Sequence, residues 1–230
     1  MITETMDAQE IASEVLADWQ SASGTIERLA QTYDKERRRQ KIGRELAFSK
    51  SYDIKTKKKN TWIFILSKAP ADEKYKGLQS INVLSLVYYY SPLGLRVIKI
   101  MPGGGLSVFN SHLFTRYKER LNLDIIKPLD LVKYFFINNG YFMAKVIPKD
   151  GRQFVLSVCN EGLLLGEMQA AFWMVYKTFL TRELIKQDQT EAEAELMADL
   201  QADIQAELSR TNFDKDSYFY KADILKGIRP

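Results

Sequence analysis

The sequence predicts an α+β fold: N-terminal helices, a mainly antiparallel sheet with inserted helices, and an acidic C-terminal helix. Three observations predict it. Before about residue 48, apolar residues recur every three or four positions. From Thr61 the runs become short and rich in β-branched and aromatic residues, with Pro and Gly between them. Beyond residue 190, Leu196, Leu200, Ile204 and Leu208 stand four apart in an acidic, alanine-rich stretch. The expected organisation is an N-terminal helical region with a basic linker over 1–60, an α+β core domain over 61–189, and an acidic helix and tail over 190–230.

In the first helix Ala8, Ile11, Val15, Leu16 and Trp19 form the apolar side, acids occupy the other side, and "SASG" breaks the pattern. A second helix is expected from about Thr25 to Phe48, strongly charged in the middle and weakened by Gly43. "SYDIKTKKKN" reads as an exposed basic linker or strand edge. The runs "TWIFILS", "INVLSLVYYY" and "LRVIKI" read as strands, with "SPLG" as the turn between the second and third. "MPGGGLS" is a further break, and a helix follows it. "KPLDLVKYFFINNG" reads as another helix, started by Pro128 and stopped by Asn139 and Gly140. "YFMAKVI", "RQFVLSVC", "GLLLGEMQ" and "WMVYKTFLT" complete the strands, with "PKDG" as a hairpin turn.

Hydrophobic residues make up 46% of the chain, enough for a sizeable core. The longest nearly apolar stretches, such as Ile81 to Tyr90, fall far short of the roughly 20 residues that cross a bilayer as a helix. No membrane span is expected. The opening MITETMDAQE is acidic and lacks the basic and apolar regions of a secretory signal. Cys159 is the one cysteine; it sits in the apolar run FVLSVC and reads as a buried thiol in a cytoplasmic protein.

Charge is unevenly spread. Residues 1–27 carry six acids and no base, whereas residues 28–68 carry thirteen bases against four acids. Residues 190–230 return to nine acids against five bases. A basic middle between acidic ends points to a polyanionic partner or to ends that fold back on the middle.

With one histidine and one cysteine the usual zinc sets cannot be assembled, and no acidic cluster marks a magnesium site, so neither metal nor cofactor is expected. "PGGG" lacks the Lys and Ser/Thr of a phosphate loop, and no G-x-S-x-G elbow is present. There remains "VFNSHLFTRYKERLNL". Asn110 or Ser111 can cap a helix whose first turn holds His112, and four-residue steps place His112, Arg116 and Arg120 on one ridge. A neutral imidazole can take a proton from a ribose 2′-hydroxyl while guanidinium forks hold the phosphate. Lys118, Tyr176, Lys177 and Thr178 are candidates for protonating the leaving oxygen. The plainer reading is a helix edge with snorkelling arginines.

The succession S-H-x-x-x-R-x-x-x-R-x-x-L from Ser111 to Leu123, followed by a helix and by strands ending in "YKTFLT", resembles small endoribonuclease toxins of bacterial toxin–antitoxin modules. These belong to the barnase, colicin and RelE-like superfamily. The likeness spans Val108 to Thr181 and implies a metal-independent endoribonuclease, with His112 as base, Arg116 and Arg120 as phosphate binders and Thr178 near the site. Such toxins are much shorter than this chain, so the additional helices are expected to be an accessory region or a built-in inhibitor.

Two further expectations stand beside the nuclease. One is a non-catalytic nucleic-acid-binding module using Arg37, Arg38, Arg39, Lys41, Arg44 and the run Lys55 to Lys59, which includes Lys57, Lys58 and Lys59, together with Lys118. Tyr88, Tyr89, Tyr90 and Trp173 are its candidate stacking rings, with the core as their plainer assignment. The other is a protein-interaction module whose acidic helix docks on the chain itself, on an inhibitory protein partner, or on a second copy to form a homodimer. The partner expected for the first two is RNA or another nucleic acid, not a membrane.

Overall fold

The computed structural model describes residues 1–39, 48–68, 81–101, 104–140, 142–149, 151–170 and 173–184. It comprises two compact units, one running to Ser107 and the other starting at Val108. Helices and strands coexist in the α+β manner the sequence predicts. The expected acidic C-terminal helix falls outside the described residues. Among those residues, no helix is long and apolar enough to cross a membrane.

The first unit opens with helix α1, Ala8–Ser21. Asp7 accepts from the amides of Gln9 and Glu10, and Glu10 accepts in return from the amide of Asp7 at 2.9 Å, so three of the donors at the helix start are satisfied in a capping box. Ile11, Val15 and Trp19 are buried as their spacing predicts, Ala8 and Leu16 are half-buried, and Ala12 is buried as well. Asp18 departs from the acids expected on the side away from the apolar residues, because it is fully buried. Its Oδ2 accepts from Trp62 Nε1, Asn60 Nδ2 and Thr56 Oγ1, each at 2.8 Å. Three donors offset the cost of burying the carboxylate.

Helix α2 spans Ser23–Arg39, parted from α1 by Ala22 alone. It was expected to reach Phe48, but Phe48 opens strand β1, Phe48–Lys55. The Tyr33 hydroxyl donates to the Phe48 carbonyl at 2.6 Å, and the two rings stack with centroids 5.2 Å apart. Along a continuous helix, residues 15 apart would lie about 22 Å from each other, so the chain has already turned back. Strands β2 (Thr61–Lys68), β3 (Asn82–Ser91) and β4 (Gly94–Ile100) extend the sheet in antiparallel order. Asn60, the last residue of the expected N-terminal region, lies inside the β1–β2 hairpin.

Trp62 and Phe64 of β2 and Ser85 of β3 share the sheet face that meets α1, where Trp19 Nε1 donates to Ser85 Oγ at 3.1 Å. The other face carries Ile63, Leu86 and Lys99, also buried. Burial of five consecutive residues, Trp62 to Leu66, explains why "TWIFILS" shows no apolar–polar alternation. Burial lowers Lys99 to about 7.

Strand β5, Leu106–Asn110, leads into the second unit. The sequence had marked a break there with no strand after it. Then come helices α3 (Ser111–Arg120) and α4 (Pro128–Asn138), and strands β6 (Met143–Lys149), β7 (Arg152–Cys159), β8 (Gly162–Ala170) and β9 (Trp173–Leu180). The strands lie in the order β5-β9-β8-β7-β6. Phe109 stacks on Tyr176 at 5.1 Å and meets Phe136 edge-on at 4.9 Å, while Tyr117 meets Phe135 at 4.9 Å and Phe179 at 5.0 Å. This aromatic cluster glues α3 and α4 to one face of the sheet.

Two glycines allow that packing. A Cβ on Gly162 would collide with the Leu180 carbonyl oxygen, and one on Gly166 would collide with that of Val175. The register between β8 and β9 shifts by one residue at Leu165/Gly166, so Tyr176 and Phe179, three apart, both turn toward the helices. A polar knot closes the unit. The Tyr117 hydroxyl and Asn139 Nδ2 donate to Glu161, and the Glu161 amide donates to Asn139 Oδ1 at 3.0 Å.

Candidate nucleic-acid interface

The His112 ridge begins where β5 hands over to α3. Asn110 adopts the extended conformation of a helix cap, yet its side chain makes no capping bond. His112, in the first turn, is exposed. Arg116 Nε donates to His112 Nε2 at 3.4 Å, and Arg116 Nη1 reaches Glu119 at 2.9 Å. Arg120 turns elsewhere and donates to the backbone carbonyl of Phe179. The structure therefore joins His112 with Arg116 and separates Arg120 from them.

The candidate proton donors are not gathered around His112. Phe179 faces α3, and its neighbour Thr178 sits opposite Leu165 on the other face of the strand. Tyr176 is buried and shares a 2.6 Å hydrogen bond with Ser157. Lys177 pairs with Glu167 at 2.6 Å. Lys118 is half-buried in the last turn of α3. Cys159 matches its reading as an inert thiol: it donates to the Gly162 carbonyl, and burial pushes it up to about 11.

The basic groups of the first unit fall into two sets at opposite ends of β1. At one end Arg37 and Arg38 both pair with Asp34, at 3.6 and 2.5 Å, Lys50 pairs with Glu36 at 2.6 Å, and Arg39 is exposed. Glu36 is held below the usual carboxylate range by hydrogen bonds from Lys50 and Tyr52. At the other end lies the β1–β2 turn with Lys57, Lys58 and Lys59, all exposed. Five residues of strand from Lys50 to Lys55 already amount to about 17 Å, so the sets do not merge. Lys41 and Arg44 lie outside the described residues.

The turn is held from beneath. Lys59 occupies the left-handed region at φ 66°, and its amide donates to the Thr56 carbonyl at 2.9 Å. Asn60 and Thr56 are tied to Asp18, while Lys58 pairs with Glu14 at 2.9 Å. Lys57 and Lys59 have no acidic partner among the described residues. Their charges stand clear on a pinned turn.

Beside this turn the sheet presents aromatic rings. Register aligns Lys55 with Thr61, Thr61 with Tyr88, and Tyr88 with Val97 across four strands, so all four residues share the face opposite α1. Tyr90, two residues further on, lies on the same face and is 62% exposed. Tyr89 points the other way and is buried, as is Trp173. Strand alternation thus sorts the three consecutive tyrosines into two half-exposed or exposed rings and one core residue. The sequence offers Tyr88, Tyr89, Tyr90 and Trp173 together as candidate rings and does not single out Tyr88 and Tyr90 as the two beside Lys55, Lys57 and Lys59. Alternation within "VYYYS" was the available signal, but the strand pairing supplied the partners.

No protein-family model, curated protein or solved structure matches the chain. Among the described residues, no three His, Cys, Asp or Glu side chains are placed to hold a metal ion.

Proposed function

We propose that the protein binds single-stranded nucleic acid, RNA included, at the turn-proximal end of the β1–β4 sheet. The observation that carries this reading is the row running from Lys55 through Thr61 to Tyr88, with Tyr90, Lys57 and Lys59 beside it. Exposed rings on a strand face give bases a stacking surface, and adjacent ammonium groups neutralise phosphates without reading sequence. Double-stranded nucleic acid keeps its bases stacked inside and would not use the rings. Titration of a fluorescent oligouridine across a salt series tests the proposal. Affinity should fall steeply with salt, and Lys57→Gln with Lys59→Gln should lower the slope by about 0.7 for each phosphate that is no longer neutralised. A salt-insensitive complex, or none, overturns it.

A second reading is metal-independent RNA cleavage at His112, in keeping with the resemblance to endoribonuclease toxins. Its support is the exposed imidazole with Arg116 in contact. Cleavage in excess chelator that disappears in His112→Ala is its expected result. Equal cleavage by both proteins, or by neither, removes it.

A further inference from the structure

The two faces of the sheet in the second unit are used differently. One carries Ser157, Leu164, Tyr176 and Phe179 and is packed by Phe109 and α3, with α4 beyond. On the other, register and alternation gather Ile147, Leu156, Val158, Leu163, Leu165 and Leu180 into one apolar cluster. Leu163 is fully buried there and Leu156 nearly so, although α3 and α4 pack on the opposite side. Four strands side by side place the outer strand axes about 14 Å apart.

The chain leaves β9 at Leu180, itself part of this cluster, and runs on past the short 3-10 turn Arg182–Leu184. The sequence that follows lies outside the described residues. From Asp188 to Leu208 it holds seven acids and no base, with Leu196, Leu200, Ile204 and Leu208 four apart.

We propose that this acidic segment docks its leucine stripe on the apolar face formed by β6 to β9. The stripe fits the face in length, since thirteen residues at helical rise cover about 18 Å. It also fits in charge. By register and chain position Lys145, Arg152, Lys177 and Arg182 lie around the cluster with Glu167 and Glu183, Lys177 pairing with Glu167, a surplus of two bases against the segment's seven acids. The covalent link from Leu184 is short enough to keep the segment at high effective concentration beside the face, so its own chain competes well against a second copy.

Cross-linking in the full-length protein tests this. Thr178, half-buried on the apolar face opposite Leu165, is replaced by cysteine and combined in turn with Leu200→Cys, Ile204→Cys and, as a control from the other side of the stripe, Ala202→Cys. A short bismaleimide should join Thr178→Cys to Leu200→Cys or Ile204→Cys within one chain, and link Ala202→Cys several-fold less. Links between two chains would assign the face to a second copy and overturn the proposal. Equal linking from all three positions, or no link from any in a folded protein, also overturns it.

Discussion

Tyr88 and Tyr90 stand edge to face, their ring centroids 6.3 Å apart and their planes at 89°. The pair leaves the Tyr90 ring exposed, on the face that also bears Lys55, and the proposed function has a base stack on it. Replacing Tyr90 with Ala should weaken oligouridine binding by one stacking interaction, about 1–3 kcal/mol, or roughly 5- to 150-fold. Tyr89→Phe should leave binding unchanged, because that ring lies on the other face and its hydroxyl has no hydrogen-bond partner among the described residues. Fluorescence anisotropy with both variants checks this; equal losses in the two would place the bases elsewhere.

Asp18 is the anchor beneath the basic turn. Asp18→Ala leaves the indole of Trp62, the amide of Asn60 and the hydroxyl of Thr56 without their shared acceptor. Asn60 Nδ2 keeps Glu14 at 3.2 Å and Thr56 Oγ1 keeps the Asn60 carbonyl at 3.4 Å, so the Trp62 indole is the buried donor left unsatisfied. At about 1–3 kcal/mol for such a group, the loss in urea unfolding should fall in that range. A loss below about 1 kcal/mol would mean that water replaces the carboxylate.

Glu14 makes stability depend on acid. Burial pushes its carboxyl up, but hydrogen bonds from the α-amine of Met1, from Lys58 and from Asn60 outweigh that and hold it at about 2 against a usual 4.5. The folded value is depressed, so its contribution is fully present above about pH 4.5 and is lost as pH falls toward 2. Thermal melts of Glu14→Gln should show a lower Tm at pH 7 and a smaller further drop between about pH 4.5 and 2 than the parent protein.

Lys99 acts in the opposite range. Burial lowers it from 10.5 to about 7. Between those values the unfolded chain holds a proton that the folded chain has released, so stability should rise as pH increases from about 7 to 10.5. Lys99→Met should flatten that rise. Urea midpoints at about pH 6.5 and 9.5 for both proteins measure it.

Helices and strands were legible wherever one periodicity governed a run. Pro128 starts α4 and Asn139 caps it, β7 and β9 fall within the runs expected for them, and β8 and β6 overrun theirs by one and two residues, β6 taking in Pro148 and Lys149 of the expected turn. Strand β5 escaped because five residues following a glycine run carry too little pattern to declare a strand, and α2 was read too long because charged residues mark no end. The candidate site was less legible. His112, Arg116 and Arg120 share a helical ridge in the sequence, yet Arg120 finds a closer acceptor in the Phe179 carbonyl, 59 residues away.

The sequence by itself determined the α+β character, the basic middle and the alternation that splits Tyr88 and Tyr90 from Tyr89, since each follows from local spacing or from charge counted along the chain. Tertiary structure decided which of those groups meet: that Asp18 is buried beneath a lysine turn, that Lys55 stands in line with Tyr88, and that Thr178 turns away from His112. The reason is physical. Periodicity sets the face on which a side chain lies, whereas strand register and helix packing, which join residues dozens of positions apart, set what lies across from it.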